Sequence, residues 1–482
     1  MNNPTKTLGL GGLSAIVFGS MIGGGIFNIA QNLAVGAAQG AVILAWIITA
    51  IGMLFLVATF RYLSQLRPDL NAGIYQYAQV GFGNYVGFNV AWGYWLCVAF
   101  ANVAYAVMLA RSFGAFWPPL MGNGWPLVLF GWGIIWLMCL LVSNGIRTAA
   151  GINTIMSCVK FASLLLSGVL LVIYFKAGLF LSDFAGADSG LGGLWEQLEN
   201  TMPVTVWTFI GIETSVMMSS RARRASDVGK SAVIGFVCAW VLYLAISILC
   251  FGVMNRARMA GLPDPSLAYV LRDIAGEWAY YAVVVSVIIS LFGGFVAWTL
   301  VCAQTPFGAA EVGILPRKFL HLNSKGMPAF GLCVSSVVMS LLICVVALAD
   351  NVYMAALWLT SLMVAPSYML SGLFLLKGSL RSDGYFSYSS GSHRLKHLSV
   401  GFLCTLFSAW IIYTGGLVPT LITSVFYLAG TGFYYLARRQ ASGGNKLSWR
   451  EFLTPKESIL FFALCIVGLF SLVMLLTGKF AL

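Results

Sequence analysis

Three successive glycines, Gly23-Gly24-Gly25, interrupt the first long hydrophobic segment of the chain, within Gly19-Ser20-Met21-Ile22-Gly23-Gly24-Gly25-Ile26-Phe27. Each glycine in a helix interior is about 1 kcal/mol worse than alanine, so the run handicaps a regular helix by about 3 kcal/mol. Inside a bilayer, a broken helix is tolerated only where its freed backbone groups face protein, water or a ligand. The segment is therefore expected to cross a membrane as an interrupted helix, with a binding site at the interruption.

That the segment meets a bilayer follows from composition. Of 482 residues, 60% are hydrophobic and 9% charged, well outside the range of soluble domains. About 20 apolar residues cross a hydrocarbon core of roughly 30 Å. Such segments lie near 10–33, 39–60, 85–110, 125–143, 150–175, 200–220, 231–254, 279–303, 328–349, 351–376, 398–416, 418–437 and 457–478. The chain reads as an all-α polytopic membrane protein of twelve or thirteen transmembrane helices. Its first segment lacks a sizeable charged lead and a small-residue cleavage site, so it does not read as a signal peptide. The longest polar stretches, around 178–199, 255–277, 377–397 and 438–456, are too short for an independent core, so residues 1–482 form one membrane domain.

The formal net charge of +12 does not point to nucleic acid, because the cations sort by side. Most of the 27 Lys and Arg, including Lys6, Arg61, Arg67, Arg147, Arg221, Arg223, Arg224 and Lys230, fall in alternate loops on one side. Arg111, Lys176, Arg256, Arg258, Arg272 and Lys479 fall on the other, and Lys160 sits inside a span. The excess marks the first side, with the N-terminus, as cytoplasmic. The 10 cysteines lie within or at the ends of hydrophobic segments without a Cys-x-x-Cys pair, and His321, His393 and His397 lie in loops. No metal site, no cofactor and no intramembrane histidine base is expected, which argues against an enzyme. A channel would need a continuous polar pore lining, and intramembrane charge is scarce.

Span six carries a second interruption, Thr205-Val-Trp207-Thr-Phe-Ile210-Gly211-Ile-Glu213, which sets a helix-weakening glycine beside a carboxylate. Intramembrane acids are costly and face protein or water, so Glu213 marks a functional site by default. A purely structural role, bonding the loose backbone of a bent helix, stays open. Spans one and six each begin a block of five. Interruptions at corresponding positions of two halves are the signature of transporters built on inverted repeats. The expected organisation is a five-plus-five inverted repeat with broken helices one and six: repeat one over about 8–176, repeat two over about 200–377, and additional helices over about 398–478. The two halves share no visible sequence identity.

The Gly-Ser-Met-Ile lead with its glycine run, Trp207 to Glu213, and Gly293-Gly294-Phe-Val-Ala-Trp298-Thr-Leu in span eight together resemble the amino acid, polyamine and organocation (APC) transporter superfamily. Span-three residues Asn89-Val-Ala-Trp-Gly-Tyr94-Trp-Leu and Asn102-Val-Ala-Tyr105, with the loop Arg221 to Lys230, narrow the likeness to basic amino acid and polyamine antiporters, particularly the arginine/ornithine exchangers, with arginine/agmatine exchangers as the alternative. The likeness runs from about Leu8 to at least Leu376. It implies a secondary transporter of the cell inner membrane that exchanges external arginine for an internal breakdown product, ornithine or agmatine, by alternating access without sodium. A proton-driven lysine or cationic amino acid permease would share most of these residues, and so would an amino acid sensor that does not transport. The partners implied are small-molecule substrates and lipid, with no nucleic acid; a homodimer is compatible with the sequence.

The residues fit such a substrate. The amides of Gly23, Gly24 and Gly25 open a half-helix, where N–H groups and the dipole favour a carboxylate. Loosened carbonyls around Met21, Ile22 and Ile210 suit an ammonium. Related exchangers can carry a serine at the position of Gly24; here that hydroxyl is missing. By resemblance, Trp298 stacks on a guanidinium, which is flat and weakly hydrated. Asn102 bonds guanidinium N–H groups, Trp207 gates the substrate, and Tyr94 is a second aromatic in the pathway. Ser361 and Tyr368 of span ten are further pathway residues. Lys160 resembles a fifth-span lysine that takes the place of a coupling sodium in sodium-independent relatives; a snorkelling lysine is the plain alternative. Glu213 and Lys160 are the two proton-sensitive groups.

Overall fold

Helix Leu10–Met21 stops where the glycines begin. Ile22 leaves helical geometry at φ −81°, ψ 82°. Gly23 is extended, and a 3-10 turn over Gly24–Phe27 leads through Asn28 into helix Ile29–Gly36. These features belong to a computed structural model that describes residues 9–70, 73–214, 223–349, 351–381, 386 and 391–480. Arg221 of the basic loop lies outside the described residues.

The sixth span breaks likewise. Helix Leu194–Trp207, with Pro203 inside it, gives way to turn geometry over 208–213. Gly211 takes φ +112° there, a conformation that side-chain-bearing residues rarely adopt. A Cβ at Gly211 would also fall 3.0 Å from the Ser20 carbonyl oxygen. The glycine thus serves both the turn and the contact between the two breaks. Ser20 Oγ completes that contact, 3.0 Å from Gly211 O and 3.1 Å from Thr214 Oγ1.

Among the described residues, 10 unbroken helices are long and apolar enough to cross a bilayer, from Gln39–Leu66 to Pro455–Leu476. No strand forms among them. The other expected spans are the two broken ones and the fifth, helix Ile146–Ile173. Span three, Asn84–Phe113, is the central column, with 89% of its apolar window buried.

The helices beyond the two repeats support that column. Trp92 Nε1 donates to Phe426 O at 2.8 Å. A Cβ at Gly93 would fall 2.1 Å from Tyr427 Oη, and that hydroxyl donates to Met363 O of span ten at 3.1 Å. Spans ten and eleven meet at glycines: a Cβ on Gly401 would fall 2.9 Å from Leu376 N, the close approach that small residues permit between membrane helices. Only 11% of the apolar window of span thirteen is buried. Its first turn nonetheless reaches span three, where Glu457 Oε1 accepts from Tyr85 N at 2.8 Å. That N–H is one of the orphan donors of a helix start, so Glu457 caps span three from outside its own sequence.

Candidate functional site

Two narrow chambers adjoin the breaks. Met21, Gly23, Ile210 and Trp298 border one, Gly24, Gly25, Met108, Leu291 and Tyr353 the other, and Tyr105 and Trp207 border both. Trp207 ends the helix Leu194–Trp207, so the break in span six sets its indole at the break in span one. A Cβ at Gly25 would fall 1.9 Å from Trp207 Cζ3. The bare backbone of Gly25 is therefore the seat of the indole, which meets the Tyr353 ring edge-on at 6.0 Å and 86°.

Backbone groups freed at the first break are partly taken by protein donors. Tyr243 Oη donates to Met21 O at 3.0 Å. Lys160 Nζ donates to Ile22 O at 2.5 Å, and the lysine is 5% exposed. A buried ammonium must be paired or hydrogen-bonded. Among the described residues it makes no ion pair; it sits instead at the negative end of helix Leu10–Met21, where the dipole favours a cation. Of the three carbonyls expected to accept from a substrate ammonium, those of Met21 and Ile22 already have donors, which leaves that of Ile210.

At the break of span six, the Glu213 carboxylate is fully buried. Tyr94 Oη donates to its Oε1 at 2.6 Å and Tyr368 Oη to its Oε2 at 3.0 Å. Gly211 N donates to both oxygens at 3.1 Å. These charge-assisted bonds tie spans three, six and ten together. Asn28 directly follows the 3-10 turn. Its Nδ2 donates to Asp264 Oδ1 and its Oδ1 accepts from Ser266 N at 2.8 Å, so the 255–277 stretch is bound to span one just after its break.

The structure thus gathers Met21, Gly23, Gly24, Gly25, Trp207, Ile210 and Trp298 around the chambers and joins Tyr94, Glu213 and Tyr368 in one cluster. Ile22 faces Lys160. Ser361 Oγ donates to Pro203 O at 2.9 Å, bracing the kink of span six. Asn102 borders neither chamber; it is buried, and its Oδ1 and Nδ2 have no hydrogen-bond partner among the described residues. Sequence reasoning missed Ser20, Tyr105, Tyr243 and Tyr353. Tyr105 had a signal, since it stands three residues after Asn102 and hence on a neighbouring helix face. Tyr243 had none, because its contact exists only once span seven lies against the first break.

A sequence profile of the amino acid permease family matches residues 8–426. An arginine/agmatine antiporter of Chlamydia felis is 37% identical over 97% of this chain and 97% of its own. The arginine/agmatine antiporter of Chlamydia trachomatis serovar D is 39% identical over 94% of each chain. A putative amino-acid transporter of Clostridium perfringens is 35% identical over 98% and 99%. Among solved structures, Mhp1, a nucleobase-cation-symport-1 family transporter in a closed conformation with bromovinylhydantoin bound, superposes with a TM-score of 0.55 at 16% identity, covering 96% of this chain and 98% of that one. That likeness concerns the fold alone.

Proposed function

The chain belongs to the amino acid permease family, and from that premise we propose that this multi-pass membrane transporter exchanges arginine for agmatine by alternating access, without sodium. The observation that carries the reading is Trp207 seated on the glycine backbone with Trp298 on the same chamber. The amides of the run suit a carboxylate, and the indole of Trp298 suits a guanidinium. Agmatine keeps the guanidinium and lacks the carboxylate, so it would use Trp298 and leave the amides. The likeness to the arginine/agmatine antiporters of Chlamydia supports this pair of substrates.

With the N-terminus cytoplasmic in the inner membrane, the Glu213 cluster would close the cytoplasmic face and the Asn28–Asp264 contact the outer one. Exchange then requires that one set of bonds open while the other holds. Freed carbonyls at a helix break are the usual ligands of a coupling sodium, and here the Lys160 ammonium occupies that of Ile22.

Counterflow in proteoliposomes tests the reading. Labelled arginine is expected to enter vesicles loaded with agmatine or arginine, to stay out of empty vesicles, and to enter equally well when choline replaces sodium. Ornithine-loaded vesicles decide whether ornithine is a second exported partner. Uptake into empty vesicles under a proton gradient would instead identify a proton-driven cationic amino acid permease.

A further inference from the structure

Each glycine of the run is bare against a different neighbour. A Cβ at Gly25 would enter the Trp207 ring, one at Gly24 would fall 2.2 Å from Leu291 Cδ2, and one at Gly23 would fall 2.5 Å from Tyr105 Oη. The run carries no hydroxyl of its own at Gly24, yet span three delivers one to the same backbone. Tyr105 is 6% exposed and borders both chambers. Its ring is fixed by Phe295, with centroids 6.0 Å apart, and by Gly294, where a Cβ would fall 2.9 Å from Tyr105 Cε1. The phenol oxygen thus lies against the backbone of the glycine run, at Gly23.

We propose that Tyr105 is the side-chain donor of the carboxylate site and sets how strongly the transporter distinguishes an amino acid from its decarboxylated amine. The inference rests on the substrate reading above. A carboxylate over the glycine amides would accept from the Gly24 N–H and from the phenol O–H of Tyr105. Two donors of different origin, backbone from span one and hydroxyl from span three, then converge on one anion. A ligand without a carboxylate leaves both unused. The hydroxyl thus assists arginine and not agmatine, which presents no anion to it.

Tyr105→Phe tests this, with arginine and agmatine binding to purified protein measured alongside homoexchange of each. The variant keeps the ring and its packing. Expected is about a tenfold loss of arginine affinity, the low end for one hydrogen bond to a charged group, with agmatine affinity and agmatine homoexchange within about twofold of wild type. An equal loss for both ligands would overturn the proposal by making the hydroxyl a structural group. Unchanged arginine affinity would overturn it as well. If wild-type protein bound neither ligand, the substrate reading itself would fall and take this inference with it.

Discussion

At the scale of single residues, the site relies on what is missing as much as on what is present. Gly25 has no room for a methyl group, because its Cβ would overlap the Trp207 ring at 1.9 Å. Gly25→Ala is expected to reduce arginine exchange at least tenfold by unseating the indole, while the purified protein stays monodisperse; exchange at the wild-type rate would show that Trp207 need not rest there. Trp298 is 7% exposed at the chamber. Trp298→Leu should weaken arginine and agmatine alike, by about 1 to 2 kcal/mol or five- to thirtyfold, since both present the same guanidinium to the indole. That common loss separates Trp298 from Tyr105, whose loss should touch only the ligand with a carboxylate.

At the scale of elements, the two interruptions work as one object, bound to each other through Ser20, Gly211 and Thr214. On the side assignment proposed above, the Asn28–Asp264 contact is the outer closure, and it has a titratable member. Burial raises the Asp264 carboxyl above its ordinary value, against the Asn28 amide and the Arg111 guanidinium, which both lower it. A raised value means that the closed arrangement binds the proton more tightly than one in which the carboxyl is hydrated. Acidification through the window just above the ordinary carboxylate value should then favour outer closure, and Asp264→Asn should abolish the dependence. Labelling of a cysteine placed in the outer vestibule, followed against pH, measures this; an unaltered profile in Asp264→Asn would assign the dependence elsewhere. Both breaks were legible in the sequence because glycine and intramembrane charge are costly where they stand. Their mutual contact was not, since nothing local in Ser20 or Gly211 records which glycine meets which carbonyl. The same limit hid Tyr243, and it left Asn102 as an expected pocket residue where the structure shows a buried amide bordering neither chamber.

At the scale of the whole molecule, the family match ends at residue 426, but the column carrying Tyr94 and Tyr105 is capped from beyond that point. Hydropathy revealed span thirteen as a span and said nothing of its task, because a capping bond between residues 372 apart in the chain leaves no periodic trace. Glu457→Ala should lower stability by about 1 to 2 kcal/mol, as loss of a helix cap does, and should appear as a reduced thermal unfolding temperature. A wild-type melting curve would remove the cap from the forces holding span three. The bond also bears on how the protein is made. A ribosome releases span three long before residue 457 is synthesised, so the nascent column enters the membrane with its first turn uncapped. Its final seating waits for span thirteen, and any event that halts translation before it would leave the lining residues in place and their register unsecured.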